Sequence, residues 1–126
     1  MRREQGQALT EFALILPLLV VLLFGIIQFG IAFNNYVTLT DAVRAGARQG
    51  AVGRHIGGPA AAGAVEDRVR EAASGLNQDE LAVTVSSPFT QGSDVTVTAT
   101  YPYTISLFGL PVWDGDLTST TTERVE

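Results

Sequence analysis

The chain has 126 residues, 46% of them hydrophobic, with eight arginines, no lysine, thirteen carboxylates and a net charge of −5. It contains no cysteine, which excludes disulfides, thiolate catalysis and zinc thiolate centres and leaves packing alone to hold any folded domain. Charge is split along the chain: residues 1–51 are net +1, whereas residues 52–126 set Arg54, Arg68, Arg70 and Arg124 against ten carboxylates, net −6. So acidic a portion repels phosphates, which argues against nucleic acid as a partner.

A short basic leader, residues 1–6, precedes the run Phe12–Phe33, which holds 22 residues, no charge and one polar side chain, Gln28. At ~1.5 Å per residue the run extends roughly 33 Å, enough to cross a hydrocarbon core of about 30 Å. A buried core helix would need protein on all its faces, more than the remaining residues supply. A secretory signal has a shorter apolar core and a small-residue cleavage site, and this run ends instead in Phe33-Asn34-Asn35-Tyr36. The expectation is a transmembrane helix over 7–33. Arg2 and Arg3 favour a cytoplasmic N-terminus, a preference that Arg44 and Arg48 beyond the other end weaken. Pro17 predicts a kink or local loosening near Ala13, since it removes one intrahelical hydrogen bond. Gly25 and Gly30 are spaced five apart and so do not form a GxxxG dimer motif. Gly46 and Gly50 have that spacing, but beyond the apolar stretch.

Glu11 abuts the run, with Phe12 directly after it. A carboxylate at the edge of hydrocarbon is costly unless it is paired or reaches the interface, so Glu11 is a functional candidate; the plain alternative is a head-group position with no role. Gly6 stands five residues earlier, behind Arg2-Arg3-Glu4-Gln5. In these features the N-terminus resembles the type IV pilin superfamily. More narrowly, RREQGQALTEFALILPLLVVLLFGIIQFG and the continuation AVRAGARQGAV at 42–52, which carries Arg44, Gly46 and Arg48, resemble the TadE-like family of tight-adherence (Tad) pilus proteins.

The resemblance implies cleavage between Gly6 and Gln7 by a prepilin peptidase, with Glu11 in fifth mature place as an assembly and register residue. It also implies residence in the bacterial cytoplasmic membrane, and partnership with a major pilin, other minor pilins and a pilus platform protein. It covers residues 2–52 and is only architectural beyond them.

Residues 34–53 continue the helix as a stalk, with Val37, Thr40, Val43, Ala47 and Gly50 at three- and four-residue steps. The stretch His55-Ile56-Gly57-Gly58-Pro59 reads as a loop. From Ala64 to Leu76, Val65, Val69, Ala72, Ala73 and Leu76 share one face and charged residues the other, which predicts a short amphipathic helix. After Asn77 the period becomes two. Strands are expected at 81–85, 95–101 and 117–125, with a turn at Gln91-Gly92-Ser93-Asp94 and an outer face of threonine and serine.

Between the last two strands, Tyr101–Trp113 reads as an apolar loop that lies on the membrane, contacts a partner pilin or closes the core, and the small size of the core favours the last. The expected architecture is therefore α+β: a long N-terminal transmembrane and stalk helix, one short helix and a small three-stranded antiparallel sheet, with 54–126 as an acidic outer domain on the extracytoplasmic side.

No residue pattern points to catalysis, a cofactor or a metal. His55 is the only histidine and has no fixed partner; Asp114-Gly115-Asp116 reads as a turn in preference to a calcium site, because the EF-hand spacing is missing. An enzyme is thus disfavoured. The two classes that remain are a minor pilin or pseudopilin acting in pilus assembly or adhesion, and a membrane-tethered extracytoplasmic binding module that does not assemble.

Overall fold

The computed structural model of the chain describes residues 2–52 and 58–126. Its first element, α1 (Arg2–Val52), is one helix of 51 residues, roughly 76 Å long at ~1.5 Å per residue. It is followed by α2 (Gly58–Ala72), β1 (Ala82–Ser86), β2 (Asp94–Leu107) and β3 (Leu110–Arg124). The strands form one antiparallel sheet in the order β1-β2-β3. The expected α+β architecture of a long apolar N-terminal helix, a short helix and a three-stranded antiparallel sheet is the one observed.

One end of α1 belongs to the core and the other does not. Leu39, Ala42, Val43, Gly46, Ala47, Gly50 and Ala51 are buried at three- and four-residue steps, a helical stripe against α2 and the sheet. Of the stalk positions expected to form that stripe, Val43, Ala47 and Gly50 do so, Thr40 is half-buried and Val37 is exposed, with Leu39 taking the buried place. From α2 come Ala61, Val65, Val69 and, just past its end, Ala73, again one helical face. From β2 come Val95, Val97 and Ala99, alternating with Thr96, Thr98 and Thr100. Each fully buried valine is worth roughly 1.5–3 kcal/mol of transfer free energy, and with no disulfide this burial is what stabilises the head.

The opposite face of the sheet is hydroxylic: Thr96 bonds Thr122 at 3.1 Å, Thr98 bonds Thr120 at 3.1 Å, and Thr100 approaches Thr118 at 3.5 Å. These pairs sit directly opposite one another in the β2–β3 register.

Three elements differ from expectation. The second helix starts at Gly58, six residues before Ala64, and ends at Ala72, with hydrogen-bonded turns carrying the chain on to Leu76. Pro59 does not oppose that start, because the first turn of a helix has no intrahelical use for its N–H, and Ala60, Ala61 and Ala62 are strong helix formers. Of the expected loop 55–59, His55, Ile56 and Gly57 lie outside the described residues.

Tyr101–Trp113 is not a loop. β2 runs through to Leu107, β3 starts at Leu110, and only Phe108 and Gly109 form the turn, both with positive φ (51° and 80°), as a tight type I′ hairpin requires. Pro102 is tolerated because pairing with β1 ends at Thr100, so β2 is an edge strand from there on; Pro111 sits beside the register shift at Ile105/Ser106. Of this segment only Tyr101, at its start, packs against the core; Phe108, Leu110, Val112 and Trp113 are all exposed.

Asp114-Gly115-Asp116 likewise lies within β3 and not in a turn. Gly115 pairs with Tyr103, whose ring covers it so closely that a Cβ there would meet ring atoms at 3.0–3.1 Å.

Candidate functional site

The residues singled out by sequence fall along α1 in two groups. Gly6, Gln7, Glu11, Phe12 and Pro17 occupy its N-terminal part, where every described side chain up to Leu19 is exposed. The Gln7 side-chain amide donates to Glu11 Oε1 at 3.1 Å, one helical turn on, and the Thr10 hydroxyl donates to the Gly6 carbonyl at 2.9 Å. The Gly6–Gln7 peptide thus lies inside a helical turn with polar side chains around it. α1 runs on through Pro17 without interruption.

Beyond Glu11 the helix has no hydrophilic face. Phe12, Leu14, Leu18, Leu22 and Ile26 are 59–78% exposed, and none of the most apolar eighteen-residue window is buried within the chain. A bare helix of this length, apolar on every side, is stable in lipid or against other apolar helices and not in water. It is the one helix among the described residues long and apolar enough to cross a membrane.

The second group, Arg44, Gly46 and Arg48, sits where α1 joins the head. Arg44 and Arg48 point outward; Arg44 makes an exposed, loose contact with Asp41 at 3.9 Å, of little energetic weight. Gly46 does something else. A Cβ at this position would collide with Val69 of α2, and one at Gly50 would lie 2.7 Å from Val95 Cγ1 of β2. The small-residue pair at four-residue spacing therefore lets α1 approach its own head closely, the same steric logic as a small-xxx-small interface, used within one chain.

Two features of the site were not evident from sequence. The first is how far the β2–β3 hairpin reaches along α1. Ser119 Oγ and Thr40 Oγ1 are 3.2 Å apart where the hairpin leaves the head, and at the tip the Phe108 ring packs on Phe24 with centroids 5.9 Å apart. Between them a cleft of about 280 Å³ is lined by Gln28, Ile31 and Asn35 on the helix and Tyr101, Tyr103 and Ile105 on β2. Gln28, the one polar side chain of the apolar run, is half-buried there. The face of α1 at 24, 28, 31, 35 continues the buried stripe at 39, 42, 46, 50, so the head and its hairpin follow one line of the helix from Gly50 down to Phe24, burying it at the head and only partly covering it beyond Asn35.

The second is Phe89, in the β1–β2 connection. It is 5% exposed, although its φ of 52° is unusual for a bulky residue. No alternation marks it; only its isolation among Ser87, Pro88 and Thr90 singles it out.

Asp114 and Asp116 are exposed, and among the described residues no three histidine, aspartate or glutamate side chains gather at one point. What the geometry provides is an assembly of surfaces: a naked apolar helix with a carboxylate near its start, and a compact α+β head clasping its other half. This defines a class of protein with one membrane-competent N-terminal helix carrying a small head. Within that class, residues 6–48 match the family model of TadE-like protein, roughly a third of the chain, and every residue of both groups lies in the matched span. No curated protein and no solved structure matches the chain.

Proposed function

We propose that this chain is a minor pilin or pseudopilin of a Tad-type pilus or related secretion system, acting in pilus assembly or adhesion from the bacterial cytoplasmic membrane. The observation that carries it is that the TadE-like match, over residues 6–48, includes an apolar stretch of helix whose side chains are exposed throughout up to Leu19, with Glu11 at its edge. Such a surface has two stable destinations, lipid and a bundle of like helices, and a pilin must pass from one to the other.

In this role a prepilin peptidase removes residues 1–6 and leaves a free amine on Gln7. Opening the Gly6–Gln7 turn for proteolysis is favoured by Gly6, which is a poor helix former. The released amine is a counter-ion for Glu11 of a neighbouring subunit, and at the wrong axial offset both charges are left unpaired in a poorly solvated place, so the pair fixes register. Arg2 and Arg3 hold the leader in the cytoplasm and the acidic head outside. The major pilin, other minor pilins and the platform protein are the partners the bare helix would meet.

Mass spectrometry of the chain from cells that make the pilus tests this directly. A mature start at Gln7 is expected. A chain that keeps residues 1–6 in the presence of active peptidase overturns the pilin role and favours the tethered binding module.

A further inference from the structure

We infer that the tip of the β2–β3 hairpin is a membrane-docking wedge, lodged in the outer leaflet of the bilayer that α1 spans. The inference rests on α1 being membrane-spanning. It follows from where the tip sits: Phe108 packs against Phe24, nine residues inside the end of the apolar run, or roughly 14 Å along the axis. If the hydrocarbon extends to Phe33, the tip lies deep within it. Hydrocarbon does not tolerate an open strand edge, whose unpaired N–H and C=O groups have no partner there. Both conditions are met if the outer boundary crosses α1 near Gln28, so that the span is Leu9–Gln28, twenty residues or ~30 Å. The tip then reaches about 6 Å below the boundary, within the range of interfacial elements.

The side chains fit this placement. Tyr103–Trp113 carries no charge, and the exposed carboxylates Asp114 and Asp116 follow at once. Phe108, Leu110, Val112 and Trp113 present 63–71% of their surface to the surroundings, an apolar cluster too concentrated to be an ordinary solvated hairpin. Trp113 donates its indole N–H to the Tyr103 hydroxyl oxygen at 3.1 Å, which satisfies the indole donor within an aromatic pair of the kind that gathers at lipid–water boundaries. Pro111 removes one backbone donor from the edge that would meet lipid. A turn residue with positive φ is normally Asn, Asp or Gly; Phe108 holds that conformation at 51° and so places a bulky apolar ring at the extreme tip. Gln28, at the proposed boundary, faces the cleft under β2 and is withheld from lipid.

Trp113 is the single tryptophan, so the full-length chain carries its own probe. In vesicles of phosphatidylethanolamine and phosphatidylglycerol, lipids brominated in the upper part of the acyl chain should remove more than half of the Trp113 emission, and lipids brominated near the methyl ends far less. The double change Phe108→Asp with Leu110→Asp should abolish the quenching while leaving the protease resistance of the head intact, since neither side chain is in the core. A second chain, Trp113→Phe with Leu18→Trp, reports on α1 alone and should be quenched most by the deep bromines. Quenching of the Leu18→Trp probe without quenching of Trp113 overturns the wedge and leaves the span standing; quenching of neither overturns the span and the wedge with it. Trp113 shielded from aqueous iodide yet insensitive to brominated lipid would place a second copy of the chain on the tip, and that also overturns the wedge.

Discussion

Gly46 and Gly63 are both helical glycines, yet replacing each with alanine should move stability in opposite directions. Alanine is favoured over glycine in a helix interior by about 0.8–1 kcal/mol, and at Gly63, where a Cβ would meet nothing within 4 Å, that gain should appear undiminished. At Gly46 the same gain is opposed by a collision with Val69, a β-branched side chain with no exposure and little freedom to turn, backed by Val65 Cγ1 at 3.5 Å and the Val65 carbonyl at 3.4 Å. Overpacking of this kind costs roughly 1–3 kcal/mol.

Because the propensity term cancels between the two variants, their difference isolates the collision, about 2 kcal/mol at the centre of that range. With a urea m-value near the low end for small proteins, ~1–1.5 kcal/mol/M, the midpoints should separate by roughly 1.3–2 M. Pulse proteolysis of the micelle-held, full-length chain across a urea series reads those midpoints from the head. Shortening the obstacle as well, with Gly46→Ala and Val69→Ala together, should cost less than the sum of the two single changes. If Gly46→Ala stabilises the head as much as Gly63→Ala does, then α1 and α2 are not in close register and the role given to Gly46 is wrong.

Other changes probe the remaining links. Glu11→Gln keeps the shape and the hydrogen bond from Gln7 but removes the charge, and it should sharply reduce copurification with the major pilin while leaving the amount of membrane-inserted chain unchanged; full incorporation would remove Glu11 from assembly. Phe89→Ala empties a buried site and should cost about 3–5 kcal/mol, a large part of the stability of so small a head, seen as rapid proteolysis between β1 and β2 without denaturant. Thr40→Val takes the partner from Ser119, which is 8% exposed, and should destabilise the head by about 1–3 kcal/mol in the same urea assay, with Thr40→Ser restoring most of the loss.

How much of this could be read beforehand depended on whether a residue's pattern has a period. The alternation of Val95, Val97 and Ala99 with threonines has one, and it gave β2's two faces directly. The bare helix was legible for the opposite reason, since a charge-free run of this length has few other stable environments. Which line of that run the head would cover was not legible: when every side of a helix is apolar, no face stands out, and the contacts of Phe24 and Gln28 are set by a strand far away in sequence. Pro102, Pro111 and Gly115 were misleading because they normally mark breaks, whereas here the first two occupy edge positions and the third lies beneath the Tyr103 ring. Phe89 has no repeating neighbour to reveal it. Within the candidate site, the cluster from Gly6 to Pro17 was accessible as a motif, while the role of Gly46 could be recognised only once α2 was in place.

The geometry also explains why one unbroken helix joins the two halves. The buried stripe at 39, 42, 46 and 50 and the line at 24, 28, 31 and 35 that the hairpin follows are a single helical face, so the rotation of α1 within the head also decides which side of the apolar run the hairpin lies along. Glu11 lies thirteen residues before Phe24, about 3.6 turns, which leaves it roughly 140° around the axis at 3.6 residues per turn. The carboxylate is therefore presented on the side of the helix away from the hairpin. A helix partner that meets Glu11 would approach the open side of α1, while the head occupies the other. With a flexible joint near Asn34 or Asn35 that relation would be lost. In continuous helix, each three- or four-residue step from the core to the run preserves it, and the same packing that stabilises the head also orients the side of α1 that a helix partner would meet.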